Sequence, residues 1–60
     1  MLDYIEYYEA FARDYYRKNY GREPTEDEII RYIADIYAQQ MYIDYDKAVK
    51  IIRERYVKRS

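Results

Sequence analysis

The residues best able to do chemistry in this chain are its clustered carboxylates. Glu23, Glu26, Asp27 and Glu28 fall within six positions, the kind of grouping that could hold a hard cation or move a proton. A hard-cation site needs several oxygens converging from different elements. Three of these four instead fall in the first turn of an expected helix, where the exposed N–H groups favour negative charge. They read as a helix start. Asp44-Tyr45-Asp46 opens in the manner of a calcium loop. Val49 then stands where the sharp-turn glycine belongs and Arg55 where the bidentate glutamate belongs, so that reading fails. The doublets Tyr7-Tyr8 and Tyr15-Tyr16 suggest a nucleophilic tyrosine, but such a group needs a base or a metal to activate it. The chain has no histidine and no cysteine, and its only serine is Ser60. Neighbouring helical residues also point about 100° apart, so a doublet is not a paired site. No enzyme activity, metal or cofactor is expected.

The elements that carry these residues are helices. Gly21-Arg22-Glu23-Pro24-Thr25 holds the only glycine and the only proline. Gly21 can adopt the left-handed conformation that closes a helix, and Pro24 cannot continue one. Thr25 then reads as an N-cap, with Glu28 completing a capping box. Asp44 marks a second start, with Ile43 and Ala48 placed to staple it. Asp3 marks a third, with Glu6 at the box position and Leu2 placed to pack on Tyr7. Helices are expected at about 3–20, 25–41 and 44–58.

Each helix carries apolar residues at helical spacing. The first has Tyr4, Tyr8, Phe11 and Tyr15, with Ile5 and Ala12 beside them. The second has Ile29, Ile30, Ile33, Ile36, Tyr37 and Met41, and the third Tyr45, Ala48, Val49, Ile52 and Tyr56. Nothing alternates with the period of a strand. Short joints make sequential helices antiparallel neighbours. The expected fold is all-α, a compact three-helix bundle forming a single domain over residues 1–60. Acids at helix starts, bases at helix ends and i,i+4 pairs such as Glu9–Arg13, Asp14–Lys18, Asp27–Arg31 and Glu54–Lys58 account for most of the charge.

Size and composition narrow the function. With 60 residues and no disulfide, the core is small, and stability must come from helix packing or from association. The formal net charge of −1 gives no overall attraction to nucleic acid or anionic lipid. No stretch is apolar enough to span a bilayer, and MLDYIEYY does not read as a secretory leader. A cytoplasmic location without membrane association is expected. Eleven tyrosines exceed what three short stripes can absorb, and tyrosine is enriched in recognition surfaces. Tyr7, Tyr16, Tyr20, Tyr32 and Tyr42 fall off the stripe centres, and Ile51 falls outside the third stripe, between lysines. Tyr7, Tyr16, Tyr32, Tyr42 and Ile51 are the expected partner surface. The leading expectation is a protein–protein interaction module, a homo-oligomer or a small regulator or inhibitor.

Nucleic-acid binding is the alternative. Gly21-Arg22-Glu23-Pro24-Thr25-Glu26-Asp27-Glu28-Ile29 resembles the GREPT stretch that leads into a helix-turn-helix in the helical regions of bacterial sigma factors. The resemblance covers nine residues. It implies that the third helix would serve as a recognition helix, presenting Lys47, Lys50, Ile51, Glu54 and Lys58 to a DNA groove.

Overall fold

The computed structural model describes residues 3–59. The expected contact of Leu2 with Tyr7 lies outside the described residues. Three α-helices follow in order: α1 (Tyr4–Tyr20), α2 (Glu26–Met41) and α3 (Tyr45–Arg59). No strand occurs among the described residues. The fold is the expected all-α three-helix bundle.

The helix boundaries follow from local chemistry. Gly21 ends α1 at φ 65°, ψ 27°, its N–H donating to the Arg17 carbonyl. A Cβ placed there would meet nothing within 4 Å, so the demand for glycine is one of backbone conformation rather than space. Pro24 is buried in the joint. Thr25 then caps α2 with the full capping box. Its Oγ1 accepts from the Glu28 N–H at 3.2 Å, and the Glu28 carboxylate accepts from the Thr25 N–H at 2.9 Å. Two orphan donors of the first turn are thereby satisfied. At the start of α1 the expected box does not form. Asp3 is the N-cap residue, but its side chain makes no capping hydrogen bond. Its exposed position leaves the first N–H groups to solvent, the ordinary alternative to a cap.

α2 ends without glycine. Tyr42 takes the left-handed conformation, φ 56° and ψ 46°, with its N–H donating to the Ala38 carbonyl. The chain then turns into α3, whose first bond runs from the Ala48 N–H to the Asp44 carbonyl. Ile43 packs against the core from this joint.

The core is aliphatic. α2 supplies Ile29, Ile30, Ile33 and Ala34, α3 supplies Ala48, Ile52 and Tyr56, and α1 supplies Ile5 and Ala12. Each helix thus contributes one alanine that is completely buried: Ala12, Ala34 and Ala48. Small residues let helix backbones approach closely, and a ring at such a position would hold them apart. This corrects the expected first stripe. Phe11 and Tyr15 were expected in the core, yet they stand 46% and 42% exposed, because α1 is rotated to place Ile5 and Ala12 inward. Met41 and Tyr45, expected at stripe positions of α2 and α3, are also exposed.

Candidate interaction surface

Rotating α1 about its axis toward Ile5 and Ala12 sends its aromatic residues to the rim and the outside. Tyr7, Phe11 and Tyr15 are four residues apart, so they form one row along the helix. They stand 47%, 46% and 42% exposed, and Tyr20 at the end of the helix stands 58% exposed. The rings rest on one another in edge-to-face and tilted pairs. Tyr7 lies 5.1 Å from Phe11 and 5.0 Å from Tyr8, and Tyr4 lies 4.8 Å from Tyr8 and 5.8 Å from Tyr37 of α2. Further along, Tyr15 lies 5.5 Å from both Tyr16 and Tyr32. Tyr20 lies 5.1 Å from Tyr16, with the Arg22 guanidinium over both of those rings at 5.4 and 5.7 Å.

Polar tips anchor this layer. Tyr4 Oη donates to Gln40 Oε1 at 2.8 Å, and Gln40 Nε2 donates to Tyr8 Oη at 3.2 Å. Burial raises the Tyr4 and Tyr16 phenols above the ordinary tyrosine value, and the neighbouring Tyr20 hydroxyl raises Tyr15. These groups therefore remain neutral at physiological pH. The surface is apolar with hydroxyl edges, suited to contact with protein.

The residues expected at a partner surface divide among three places. Tyr7, Tyr16 and Tyr32 join the aromatic layer of α1, Tyr7 exposed and the other two partly buried. Tyr42 stands 94% exposed at the α2–α3 joint. Ile51, expected to be exposed on α3, is partly buried; its position on the helix lies close enough to Ile52 and Ala48 for the core edge to cover part of it. Phe11 and Tyr15 were missed as surface residues. The available signal was the pair Ile5 and Ala12, which share a face at a spacing of seven.

The lysines of the alternative reading, Lys47, Lys50 and Lys58, are exposed on α3 with Ile51 partly buried beside them. Several bases of α3 already have partners. Lys58 Nζ lies 2.9 Å from Glu54, Arg53 Nη2 donates to Asp27 at 2.8 Å, and the Arg55 guanidinium lies over the Tyr37 ring at 5.7 Å.

A polar network ties α1 to the rest of the bundle. Tyr56 Oη of α3 donates to Glu9 at 3.4 Å, Glu9 pairs with Arg13 at 2.7 Å, and Glu23 joins Arg13 and Arg17 at 3.1 and 3.2 Å. No buried polar side-chain atom among the described residues lacks a hydrogen-bond partner. Among the described residues there is no group of three acidic, histidine or cysteine side chains arranged for a metal, and no enclosed pocket. No described helix is long and apolar enough to cross a membrane. No protein-family model, curated protein or solved structure matches the chain.

Proposed function

We propose that this chain is a non-enzymatic protein-interaction module that binds a protein through the aromatic face of α1. One observation carries the reading: Tyr7, Phe11, Tyr15 and Tyr20 are each more than two-fifths exposed along one helix of a 60-residue bundle. An aromatic side chain buries on the order of 150–250 Å² when covered. Four of them nearly half exposed leave on the order of 400 Å² of ring surface uncovered, within the range of the largest apolar patches on folded monomers, which are often functional. These rings rest against one another and against Tyr8, Tyr16 and Tyr32, so little side-chain freedom is lost when a partner covers them. The basic side of α3 is the weaker candidate, since Arg53 and Lys58 are engaged by carboxylates and Arg55 by a ring.

Site-specific photo-crosslinking in cells distinguishes the two faces. A photoreactive phenylalanine analogue at position 11 is expected to give protein adducts that resist nuclease. The same analogue at Lys50 is expected to give none. Nuclease-sensitive adducts at position 50, with salt-dependent duplex binding lost in Lys47→Ala, Lys50→Ala and Lys58→Ala, would establish the helix-turn-helix alternative instead.

A further inference from the structure

One tyrosine pair in the aromatic layer is already arranged for covalent coupling. We infer that Tyr4 and Tyr8 form an oxidative modification site, at which a peroxide-fed one-electron oxidant joins the two rings through a carbon–carbon bond, giving an intrachain dityrosine. The chemistry needs no binding partner and stands apart from the interaction reading above.

Tyr4 and Tyr8 are four residues apart, so they lie one above the other on the same side of α1. Their ring centroids are 4.8 Å apart, the shortest ring spacing among the described residues, and the planes are tilted by 57°. A biaryl separates its ring centres by two ring radii and one bond and is itself twisted, so the folded chain starts close to the spacing of the product. The hydroxyls are also brought together. Tyr4 Oη donates to Gln40 Oε1 at 2.8 Å, and Gln40 Nε2 donates to Tyr8 Oη at 3.2 Å, so both phenol oxygens converge on one amide. Coupling through the carbons ortho to the hydroxyls sets the two oxygens on either side of the new bond. Those are the edges of the rings that Gln40 gathers.

Each phenol gives up one electron and one proton. The oxidant takes both electrons, and both protons pass to water at the exposed edge beside Gln40. The two phenoxyl radicals form one C–C bond between their ortho carbons. Each ring then regains its aromaticity by moving the ortho hydrogen to its oxygen. The chain loses two hydrogen atoms in all, and with a haem peroxidase as the oxidant one hydrogen peroxide is reduced to two waters.

The shared amide separates this pair from the other close ones. Tyr16 and Tyr20 are 5.1 Å apart, but the Arg22 guanidinium packs over both rings, and no side chain bridges their hydroxyls among the described residues. Tyr7 and Tyr8 are 5.0 Å apart but nearly perpendicular, at 85°, as are Tyr4 and Tyr37, at 5.8 Å and 81°. Tyr15 and Tyr32 stand further apart, at 5.5 Å. The product is a staple across the first turns of α1, where Asp3 supplies no side-chain cap.

A haem peroxidase with hydrogen peroxide, applied to the full chain at low concentration, tests this. The main product is expected to be a monomer lighter by two hydrogen atoms, with dityrosine fluorescence and the helical far-UV circular dichroism of the untreated chain. Trypsin releases residues 1–13 as one peptide, and on fragmentation no backbone cleavage should separate Tyr4 from Tyr8. Tyr4→Phe keeps the ring and is expected to remove this crosslink. Gln40→Leu releases the two hydroxyls from their common partner and is expected to lower the yield several-fold, as loss of positioning does. Gln40 is exposed, so this variant keeps its fold, which circular dichroism verifies. A crosslink at another tyrosine pair overturns the inference, as do chain-to-chain dimers as the main product or oxidised tyrosine without a crosslink. A Gln40→Leu yield equal to that of the wild type, or a Tyr4–Tyr8 yield as high in the urea-unfolded chain, also overturns it, because the folded arrangement would then contribute nothing.

Discussion

α2 brings three buried isoleucines to its contact with Ala48, Ile52 and Tyr56 of α3, whereas α1 is joined to them by Ile5, Ala12 and a rim of tyrosines. Four residues of α2 are buried, three of them isoleucine, against only Ile5 and Ala12 on the longer α1. The α2–α3 pair also has a direct electrostatic tie, Asp27 holding Arg31 at 2.7 Å and Arg53 at 2.8 Å. α1 is held to the joint by Glu23 and to α3 by the Tyr56–Glu9 contact. Isoleucine can contribute only to the core, while tyrosine serves equally at a core edge or at an interface. The difference separates the two tasks: the hairpin supplies the stability, and α1 supplies the surface.

The largest effect is expected where the hairpin is most aliphatic. Ile33 is completely buried, and Ile33→Asp places a carboxylate there with no partner. In so small a domain the loss is expected to remove cooperative unfolding altogether. Circular dichroism and thermal melting would detect it. A folded variant with the wild-type melting temperature would show that stability does not reside in the hairpin.

The attachment of α1 is tested one step lower. Ala12 is fully buried in the core cluster, so Ala12→Leu overpacks that site and is expected to cost about 1–3 kcal/mol. Hydrogen exchange should then show α1 amides losing protection before those of α2 and α3, as local opening predicts. Uniform loss of protection would mean the three helices form one cooperative unit and the division drawn above fails.

Most of the architecture was legible in the sequence, because the signals that divide the helices are local. Gly21, Pro24, the Thr25–Glu28 box and Asp44 each act on their own few residues, and the helices begin and end beside them. The rotation of α1 was not legible. Its tyrosines, its phenylalanine and the pair Ile5 and Ala12 cover a broad arc, and periodicity alone cannot say which edge of that arc turns inward. The choice is made by tertiary packing, where α1 buries Ile5 and Ala12 in the core and leaves its rings at the rim. Ile51 was misplaced for a related reason: position on a helical wheel does not register how far a core edge extends over its neighbours.

Acid separates the joint from the aromatic layer. Glu28 is held down to about 2 by Arg22, whose guanidinium donates to both carboxylate oxygens at 2.8 Å, and by the Thr25 N–H. A carboxylate with a depressed folded pKa stabilises above its unfolded value, about 4.3, and that contribution is lost as pH falls toward about 2. The wild-type melting temperature is expected to drop across this window. Glu28→Gln keeps a side chain suited to the capping box but not the charge, so its melting temperature should fall less between pH 5 and pH 2.5. Equal slopes in the two proteins would place the acid sensitivity elsewhere, Asp27 being the next carboxylate lowered by arginine.

The smallest expected effect has the opposite sign and lies at the α2–α3 joint. Tyr42 closes α2 at φ 56° with its ring 94% exposed. A residue with a Cβ held in the left-handed region costs roughly 1–2 kcal/mol, and this exposed ring gains little from packing in return. Tyr42→Gly removes that strain but loosens the unfolded chain, giving back about 0.4–1 kcal/mol. The net expectation is a stabilisation on the order of 0.5 kcal/mol, a rise of a few degrees in a domain of this size. Because Tyr42 lies outside the α1 aromatic row, the same variant should leave the protein adducts formed from position 11 unchanged. A Tyr42→Gly chain that is less stable would show that the ring makes a contact not evident from its exposure. One that is more stable yet no longer gives protein adducts from position 11 would move the interface from α1 to the joint, and would reverse the assignment of surface and scaffold between the two parts of the bundle.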